Sequence, residues 1–237
     1  MSSFHDIFES QGITINRELM ERFFLYKDHL LEWNKKINLT AITDTQDIFY
    51  KHFLDSLLLT KVNHIDLNKG LLIDVGTGAG FPGVPLALFY KNLSVFLSDS
   101  LEKRILFLDS LKTALKIENA TLLSGRSELL GRDVLWRESF DFATARAVSS
   151  LPVILELLSP FVKKGGYIIC YKGPGFEEEL KNAEKAIKEL SLELVSVDKF
   201  IIREANMSRV IIVFTKNNVI SELYPRRPGV PQKKPLL

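Results

Sequence analysis

The sequence predicts an α/β fold, in which an N-terminal helical cap precedes a mostly parallel sheet that ends in an antiparallel hairpin. From residue 71 onward, short apolar runs alternate with helical stretches, which is typical of strands joined by crossover helices. Near the end, the β-rich segments 192–202 and 208–215 are separated by residues 203–207 alone. A parallel crossover needs about a dozen residues or more, so these two segments are expected to pair antiparallel.

The first third of the chain is predicted to be helical. Its apolar residues recur at mostly helical spacings, at Leu19, Phe23, Phe24, Tyr26, Leu30, Leu31 and Trp33. A second stretch of this kind covers 46–59. We expect a helical cap over 1–65 and a main domain over 66–223. A basic, Pro-rich C-terminal tail over 224–237 follows, and we expect it to be extended.

Strands and helices alternate along the main domain. The predicted strands before the hairpin are 71–75, 95–98, 120–123, 140–145 and 166–171. The predicted helices are 84–90, 101–115, 151–161 and 176–190. This alternation is what a parallel sheet requires, because each connection must cross over one face of the sheet.

Composition indicates a globular protein of a reducing compartment. The 237 residues are 46% apolar, which is enough to bury a full core. Cys170 is the single cysteine, so no intrachain disulfide forms, and we interpret its thiol as a packing group. The N-terminus lacks a basic stretch followed by an apolar one, and no apolar run reaches the roughly 18 residues of a membrane span. We expect a soluble, cytoplasmic monomer.

The main functional motif is a glycine-rich loop that directly follows a predicted strand, with the sequence Asp74-Val75-Gly76-Thr77-Gly78-Ala79-Gly80. Glycine permits a sharp turn and the close approach of a ligand, because it has no Cβ. The following helix offers its N-terminal amides to that ligand. Asp99 ends the next apolar run, 19 residues beyond Gly80. A carboxylate at this place can accept hydrogen bonds from both hydroxyls of a ribose.

Two cofactor classes share this pairing of a glycine loop with an acid. Residues 78–83 satisfy the GxGxxG pattern of dinucleotide enzymes, but Pro82 lies inside it and the match begins three residues after Val75. The D-x-G-x-G-x-G frame from Asp74 adjoins the strand, and a nicotinamide fold would continue with parallel strands instead of a hairpin. The sequence therefore favours S-adenosylmethionine and a class I, Rossmann-like methyltransferase sheet. The alternative is a purely structural turn, with Asp99 as a helix N-cap.

Several segments together carry a more specific resemblance. They are 33–40 (WNKKINLT), 52–57 (HFLDSL), 81–83 (FPG), 99–100 (DS), 103–104 (KR), 126–128 (RSE), 145–147 (ARA) and 224–227 (YPRR). Over nearly its whole length, the chain resembles the RsmG, or GidB, family of bacterial small-subunit ribosomal RNA guanine-N7 methyltransferases.

The resemblance implies methylation of a guanine N7 in the 530 loop of 16S rRNA, with S-adenosylmethionine as the donor. The implied partner is the rRNA or the small ribosomal subunit. By matching position, Gly76 and Phe81 contact the cofactor, Ser127 and Glu128 border the adenine, and Arg146 lies by the methionine end. Together with the loop and its acid, the predicted cofactor-binding residues are Asp74, Gly76, Gly78, Gly80, Phe81, Asp99, Ser127, Glu128 and Arg146.

Few catalytic groups are expected for this reaction. Guanine N7 carries a free lone pair and the sulfonium methyl is already activated, so alignment is the main contribution of the protein. The histidines and Cys170 do not show a metal-ligand spacing, so we expect no metal. Arg146 is the candidate catalytic residue, because it ends the fourth strand at the ligand-binding edge of the sheet. The alternative is a structural ion pair.

Two further groups have open interpretations. His52, Asp55 and Ser56 fall at i, i+3 and i+4, so a helix would present them on one face. That face either covers the cofactor or receives the guanine, or it is a polar network joining the cap to the main domain. Phe81 either stacks on a base at the mouth of the site or packs beneath the cofactor.

Basic residues are the candidate RNA contacts. The formal net charge is +2, but the tail alone holds four cations without an acid, so the rest of the chain is at −2. The tail candidates are Arg226, Arg227, Lys233 and Lys234, which can neutralise phosphates. Further candidates are Lys35, Lys36, Lys103, Arg104 and Lys172. A disordered, solubilising end is the alternative for the tail.

Two other functions stay open at this point. The chain could be a methyltransferase of another substrate, or a non-catalytic RNA- or nucleotide-binding module on the same fold. A fold alone does not decide between them.

Overall fold

A computed structural model describes residues 2–147 and 149–237. In this part of the chain, seven strands form one sheet. They are β1 (Gly70–Val75), β2 (Leu93–Asp99), β3 (Ala120–Ser124), β4 (Phe140–Arg146), β5 (Val162–Lys172), β6 (Leu192–Ile202) and β7 (Met207–Lys216). Their order is β3-β2-β1-β4-β5-β7-β6. The first five strands pair in parallel, and β7 is antiparallel to both β5 and β6. The predicted mixed sheet and its terminal hairpin are confirmed.

The carboxyl ends of the parallel strands meet at one edge of the sheet. In the register, Asp74 of β1 lies beside Leu97 of β2 and Thr144 of β4. The strand order reverses between β1 and β4, because the chain first builds outward through β2 and β3 and then returns. Open α/β sheets bind ligands at such a reversal. The glycine loop leaves β1 at this point.

Helices form the N-terminal cap, as predicted, and the first of them, α1, precedes the apolar spacing from Leu19 onward that predicted it. The cap elements are α1 (Ser2–Glu9), α2 (Arg17–Asn34), α3 (Thr45–Ile48), a π-helical turn (Phe49–Leu54), α4 (Asp55–Leu57) and a 3₁₀ turn (Leu58–Lys61). Asn16 caps α2 by accepting a hydrogen bond of 2.8 Å from the Leu19 amide. Asp44 caps α3 in the same way, at 2.9 Å from the Asp47 amide.

The cap shares its hydrophobic core with the sheet. Phe8, Met20 and Phe53 of the cap belong to the same buried cluster as Leu72 of β1 and Val95 of β2. Such a continuous cluster makes the cap a layer of one core rather than an appendage. The domain limits 1–65 and 66–223 stay a sequence prediction.

The main domain supplies the remaining helices. They are α5 (Gly83–Phe89), α6 (Glu102–Ala114), α7 (Ser127–Leu130), α8 (Leu151–Leu158), α9 (Phe176–Asn182) and α10 (Glu184–Glu189), followed in the tail by α11 (Val230–Lys233). The predicted helix 176–190 is divided at Ala183, whose amide bonds to Leu180 O at 3.1 Å in a tighter turn. None of the helices in the described residues is long and apolar enough to cross a membrane.

The prediction of an extended tail is wrong. The tail contains the short helix α11, and Pro231 and Leu236 are buried. Its start is held by Arg137, which donates to Tyr224 O at 2.8 Å. Arg226 binds Glu156 of α8, a carboxylate with no exposed surface. Proline content suggested an open chain, whereas these long-range polar contacts and the buried side chains bring the tail onto the domain.

Candidate active site

Hydrogen bonds from backbone amides of the glycine loop hold it against the end of β2. Gly76 and Gly78 have φ of +68° and +61°, in the left-handed region that favours glycine. The Gly76 and Thr77 amides donate to Ser98 O at 2.9 and 3.0 Å, and the Gly78 amide donates to Asp99 Oδ2 at 3.0 Å. The loop is therefore preorganised by the neighbouring strand.

Gly78 and Gly80 have different surroundings. A Cβ at Gly78 would lie 4.0 Å from Gly76 O, so the loop is open on this side. At Gly80, with φ of +93°, a Cβ would come within 2.6 Å of the Tyr26 hydroxyl and 2.7 Å of Val84. Tyr26 and Val84 thus occupy the space that a Cβ at Gly80 would need. The predicted contact of Gly80 with the cofactor stays a prediction.

Asp74 lies beneath the loop with no exposed surface. Its Oδ2 accepts hydrogen bonds of 2.6 Å from Thr77 Oγ1 and 2.8 Å from the Gly83 amide. Its Oδ1 is buried and finds no hydrogen-bond partner among the described residues. Burial raises the pKa of Asp74 to about 6. The carboxylate therefore braces the loop and keeps one acceptor for a donor that the protein does not supply.

A cleft of about 150 Å³ lies where β1, β2 and β3 end, and we call it the glycine-loop cleft. Gly76, Asp99, Ser127 and Glu128 are among its lining residues. Ser127 Oγ lies 3.3 Å from Glu128 Oε2. Four of the predicted cofactor-binding residues are thus brought to one cleft.

Asp99 ends β2 as predicted, but its carboxylate is already occupied. Besides the Gly78 amide, the Leu101 amide donates to Oδ1 at 2.9 Å and Arg104 Nη1 donates to Oδ2 at 3.1 Å. A carboxylate offers about four acceptor positions, so about one is left. Binding both hydroxyls of a ribose at Asp99 would require Arg104 to move.

Phe81 is the link between the loop and the cap. Its ring is 5% exposed and lies nearly parallel to Tyr26, with centroids 5.0 Å apart, and to His52, with centroids 4.5 Å apart. The guanidinium carbon of Arg146 lies 5.1 Å from the same ring. Because these groups surround Phe81, the hypothesis that it stacks on an RNA base at the mouth of the site is wrong.

Arg146 is joined to the cap through Asp55. Its Nη1 donates to Asp55 Oδ2 at 2.7 Å and to Lys51 O at 3.2 Å. Arg209 of β7 donates from Nε to Asp55 Oδ1 at 2.8 Å. Asp55 is 1% exposed, so this is a buried carboxylate between two guanidinium groups. The predicted polar network between cap and main domain is present.

His52 belongs to the same network. It lies in the π-helical turn, with Nε2 2.9 Å from Thr40 Oγ1 and Nδ1 3.3 Å from Arg146 Nη2. Burial, together with the charge of Arg146, lowers the pKa of His52 to about 3. The imidazole is therefore neutral around pH 7. Ser56 donates to His52 O at 2.6 Å, which stabilises the turn.

A second cavity, of about 390 Å³, opens beside this network, and we call it the Arg146 cavity. It is lined by Arg146, Lys172 and Arg209, with Asp55 and Tyr171 also on its wall. The contacts of the His52 face agree with its interpretation as a polar network. That the face covers the cofactor or receives the guanine stays a prediction.

Comparison with known proteins identifies the family. The model of the family described as rRNA small subunit methyltransferase G matches residues 19–208. The chain belongs to this family. Ribosomal RNA small subunit methyltransferase G of Alkaliphilus metalliredigens is 42% identical over 225 residues, covering 95% of this chain and 94% of that protein. The protein of the same name from Bacillus subtilis (strain 168) is 42% identical over 227 residues, with the same coverage. The predicted resemblance is confirmed.

Solved structures support the fold of this rRNA methyltransferase family member. M. jannaschii TYW2 in complex with AdoMet has a TM-score of 0.52, with 15% identity over 74% of this chain and 77% of that chain. A likeness at such low identity concerns the fold alone. It confirms the predicted class I methyltransferase architecture.

The basic residues predicted to contact RNA differ in this methyltransferase. Lys172 is 9% exposed and donates to Glu179 at 2.6 Å, and Arg226 is bound to Glu156. Arg226 therefore forms an ion pair with the buried Glu156, and Lys172 forms one with the partly exposed Glu179 and donates to Ser149 O. RNA contacts at these two positions stay a prediction. The side chains that remain exposed are Lys35, Lys36, Lys103, Arg227, Lys233 and Lys234.

Two site residues of this family member were not found from the sequence. Tyr26 of α2 donates its hydroxyl hydrogen to Ala79 O of the glycine loop, and Arg209 of β7 completes the Asp55 pair. From the sequence, Tyr26 is predicted only as an apolar position of a helix. No sequence pattern around Arg209 indicates that it binds a distant carboxylate. Cys170 is fully buried, and burial raises the pKa of its thiol to about 12, in line with its interpretation as a packing group.

Proposed function

We propose that this protein transfers a methyl group from S-adenosylmethionine to N7 of a guanine in the 530 loop of 16S rRNA. The observation that supports this most is the contact that joins the end of the glycine loop to the wall of the Arg146 cavity. Phe81 follows the glycine loop, and its ring faces Arg146 on the wall of the Arg146 cavity. A donor in the glycine-loop cleft and an acceptor in the Arg146 cavity would then meet at the reversal of the sheet.

The residues of the glycine-loop cleft fit S-adenosylmethionine. Gly76 and Gly78 would bring the backbone close to it, and the acceptor position left on Asp99 would receive one hydroxyl of its ribose. Ser127 and Glu128 would border its adenine. The unpartnered Oδ1 of Asp74 is an acceptor suited to the ammonium of the methionine end. When bound, the cofactor supplies a methyl carbon activated by a sulfonium charge.

The side chains near the acceptor are suited to orientation rather than to proton transfer. Guanine N7 attacks through a lone pair that carries no proton, so no general base is needed. His52 is neutral with a pKa of about 3, and Asp55 is held by Arg146 and Arg209. The Arg146 guanidinium can donate to the guanine or to a phosphate while it keeps Asp55, because guanidinium has five donors. The contribution of the protein is alignment.

The acceptor side is positively charged, which suits a polyanion. Arg146, Lys172 and Arg209 line the cavity, and the exposed tail residues Arg227 and Lys233 would neutralise phosphates further out. Ion pairs within the protein neutralise part of this charge, so the exposed cations carry most of the salt-dependent attraction.

Transfer of labelled methyl groups tests the proposal. The protein is incubated with S-adenosylmethionine labelled in the methyl group and with deproteinised 16S rRNA, assembled small subunits or ribosomal proteins. Label is expected in rRNA at one guanine of the 530 loop, mapped by cleavage at N7-methylguanine. Label at another base or in protein would refute the proposed acceptor. Binding of S-adenosylmethionine without transfer to any of the three would refute catalysis on them.

A further inference from the structure

The C-terminal tail reaches the wall of the glycine-loop cleft. The Gly229 amide donates a hydrogen bond of 2.8 Å to Glu128 Oε1. Glu128 lies in the first turn of α7 and lines the cleft, where its other oxygen is 3.3 Å from Ser127 Oγ. One oxygen of a cleft carboxylate is thus held by a residue 101 positions later in the chain.

Gly229 is held in place by contacts on both sides of it. Before it, the Arg226 backbone amide donates to Glu156 Oε1 at 2.9 Å, and the Arg226 side chain donates to both oxygens at 2.5 to 3.1 Å. After it, Ser149 Oγ donates to Gln232 Oε1 at 2.7 Å. Gly229 has φ of +79°, which turns its amide at the start of α11 in a conformation that favours glycine.

We propose that the tail is a working part of the cofactor site, in which the Gly229 amide positions the Glu128 carboxylate. A glutamate side chain has three rotatable bonds, and fixing it at the moment of ligand binding costs conformational entropy. A hydrogen bond from a backbone amide to a carboxylate is charge-assisted and removes much of that cost in advance. Affinity for the cofactor therefore depends on residues 228–237, although none of them lines the cleft. This inference rests on the proposed use of the cleft for S-adenosylmethionine.

Calorimetric titration with S-adenosylhomocysteine tests the inference without relying on turnover. Four proteins form a double-mutant cycle: the full chain, a chain ending at Arg227, Glu128→Ala, and Glu128→Ala in the shortened chain. Ending at Arg227 retains Arg226 for Glu156, so the buried carboxylate keeps its partner. Urea denaturation of each protein tests whether the shortened chain is folded.

Shortening the full chain is expected to raise Kd for S-adenosylhomocysteine about five- to tenfold. This is somewhat less than the change expected for loss of a complete charged hydrogen bond to the ligand. In the Glu128→Ala background, the same shortening is expected to change Kd less than about twofold, because its target is absent. KM for S-adenosylmethionine should rise with kcat nearly unchanged, which a general loss of structure would not produce.

Leu237→Ala is the matched control within the tail. It shortens a side chain that is 66% exposed and leaves the Gly229 amide on Glu128, so Kd should stay within about twofold of the full chain. An unchanged Kd in the shortened chain would overturn the inference, as would an equal rise in Kd with and without Glu128. If the full chain itself does not bind S-adenosylhomocysteine, the proposed function fails, and the inference fails with it.

Discussion

Arg146 at the end of β4 donates a hydrogen bond of 2.7 Å to Asp55 of the cap, across 91 positions of sequence. Arg209 of β7 donates to the other oxygen of Asp55 at 2.8 Å. One buried carboxylate therefore ties two strands to the cap and holds two cations on the wall of the Arg146 cavity. A buried carboxylate is stable in such a place because it is paired on both oxygens.

Arg146→Ala is expected to reduce methyl transfer by about a hundredfold or more, because the group that orients the acceptor is lost. Asp55 keeps Arg209, so the free energy of unfolding should fall by only about 1–3 kcal/mol. Steady-state transfer to 16S rRNA and urea denaturation measure the two effects. Arg17→Ala, which breaks the exposed pair with Glu21, is the control and should leave transfer unchanged. Near-normal turnover of Arg146→Ala would remove Arg146 from the site.

The pH dependence of the stability of Asp74→Asn tests whether the pKa of the buried Asp74 carboxyl is raised. The folded-state pKa of about 6 lies above the ordinary value of 3.8, so between these values the folded protein binds more protons than the unfolded chain. Asp74 therefore makes stability fall as the pH rises from about 4 through about 6, and the asparagine does not. From pH 4 to pH 7, the stability of Asp74→Asn relative to the natural protein should increase by about 1–3 kcal/mol. Urea denaturation across this range gives the difference, and a difference independent of pH would contradict the assignment.

Comparison of Gly78→Ala with Gly80→Ala distinguishes space that is open to a ligand from space that protein side chains fill. Gly78→Ala should cost about 1–2 kcal/mol of stability through its positive φ, and it should weaken S-adenosylhomocysteine binding because the methyl group enters the open side of the loop. Gly80→Ala adds a collision with Tyr26 and Val84, so it should destabilise by about 3 kcal/mol or more. Thermal denaturation and calorimetric titration of both variants measure the contrast. Equal loss of stability in the two would contradict it.

Arg226 and Arg227 are adjacent in the tail, but we expect substitution of Arg226 to lower stability and substitution of Arg227 to weaken RNA binding. Arg226→Ala leaves the fully buried Glu156 without its cation, so stability should fall by about 3–5 kcal/mol. Arg227 is exposed, so Arg227→Ala should stay within about 0.5 kcal/mol of the natural protein. Its effect should appear in RNA binding, where the slope of log affinity against log salt concentration falls by about one. Filter binding at several salt concentrations measures the slope, and an unchanged slope would exclude a phosphate contact at Arg227.

Local patterns in the sequence determined the sheet and the placing of the glycine loop. Asp74 lies near the end of a buried strand, Gly76 and Gly78 follow that strand, and Asp99 ends the next one. Parallel pairing alone therefore brings them to one edge. The hairpin followed from the length of residues 203–207, which is too short for a crossover. Such constraints act within one or two elements, so residue types and their spacing in the sequence are enough to predict them.

Only the tertiary structure decided which partners the charged and aromatic groups take. The sequence presented Arg226 as a free cation and Phe81 as a stacking candidate, but Glu156 lies 70 positions before Arg226, and Phe81 packs against Tyr26. Hydrophobic periodicity specifies which face of an element is buried, and it does not specify which carboxylate a distant cation meets. That choice is made when the cap, sheet and tail pack together, because a charge leaving water is stabilised only by the partner that the packing places beside it.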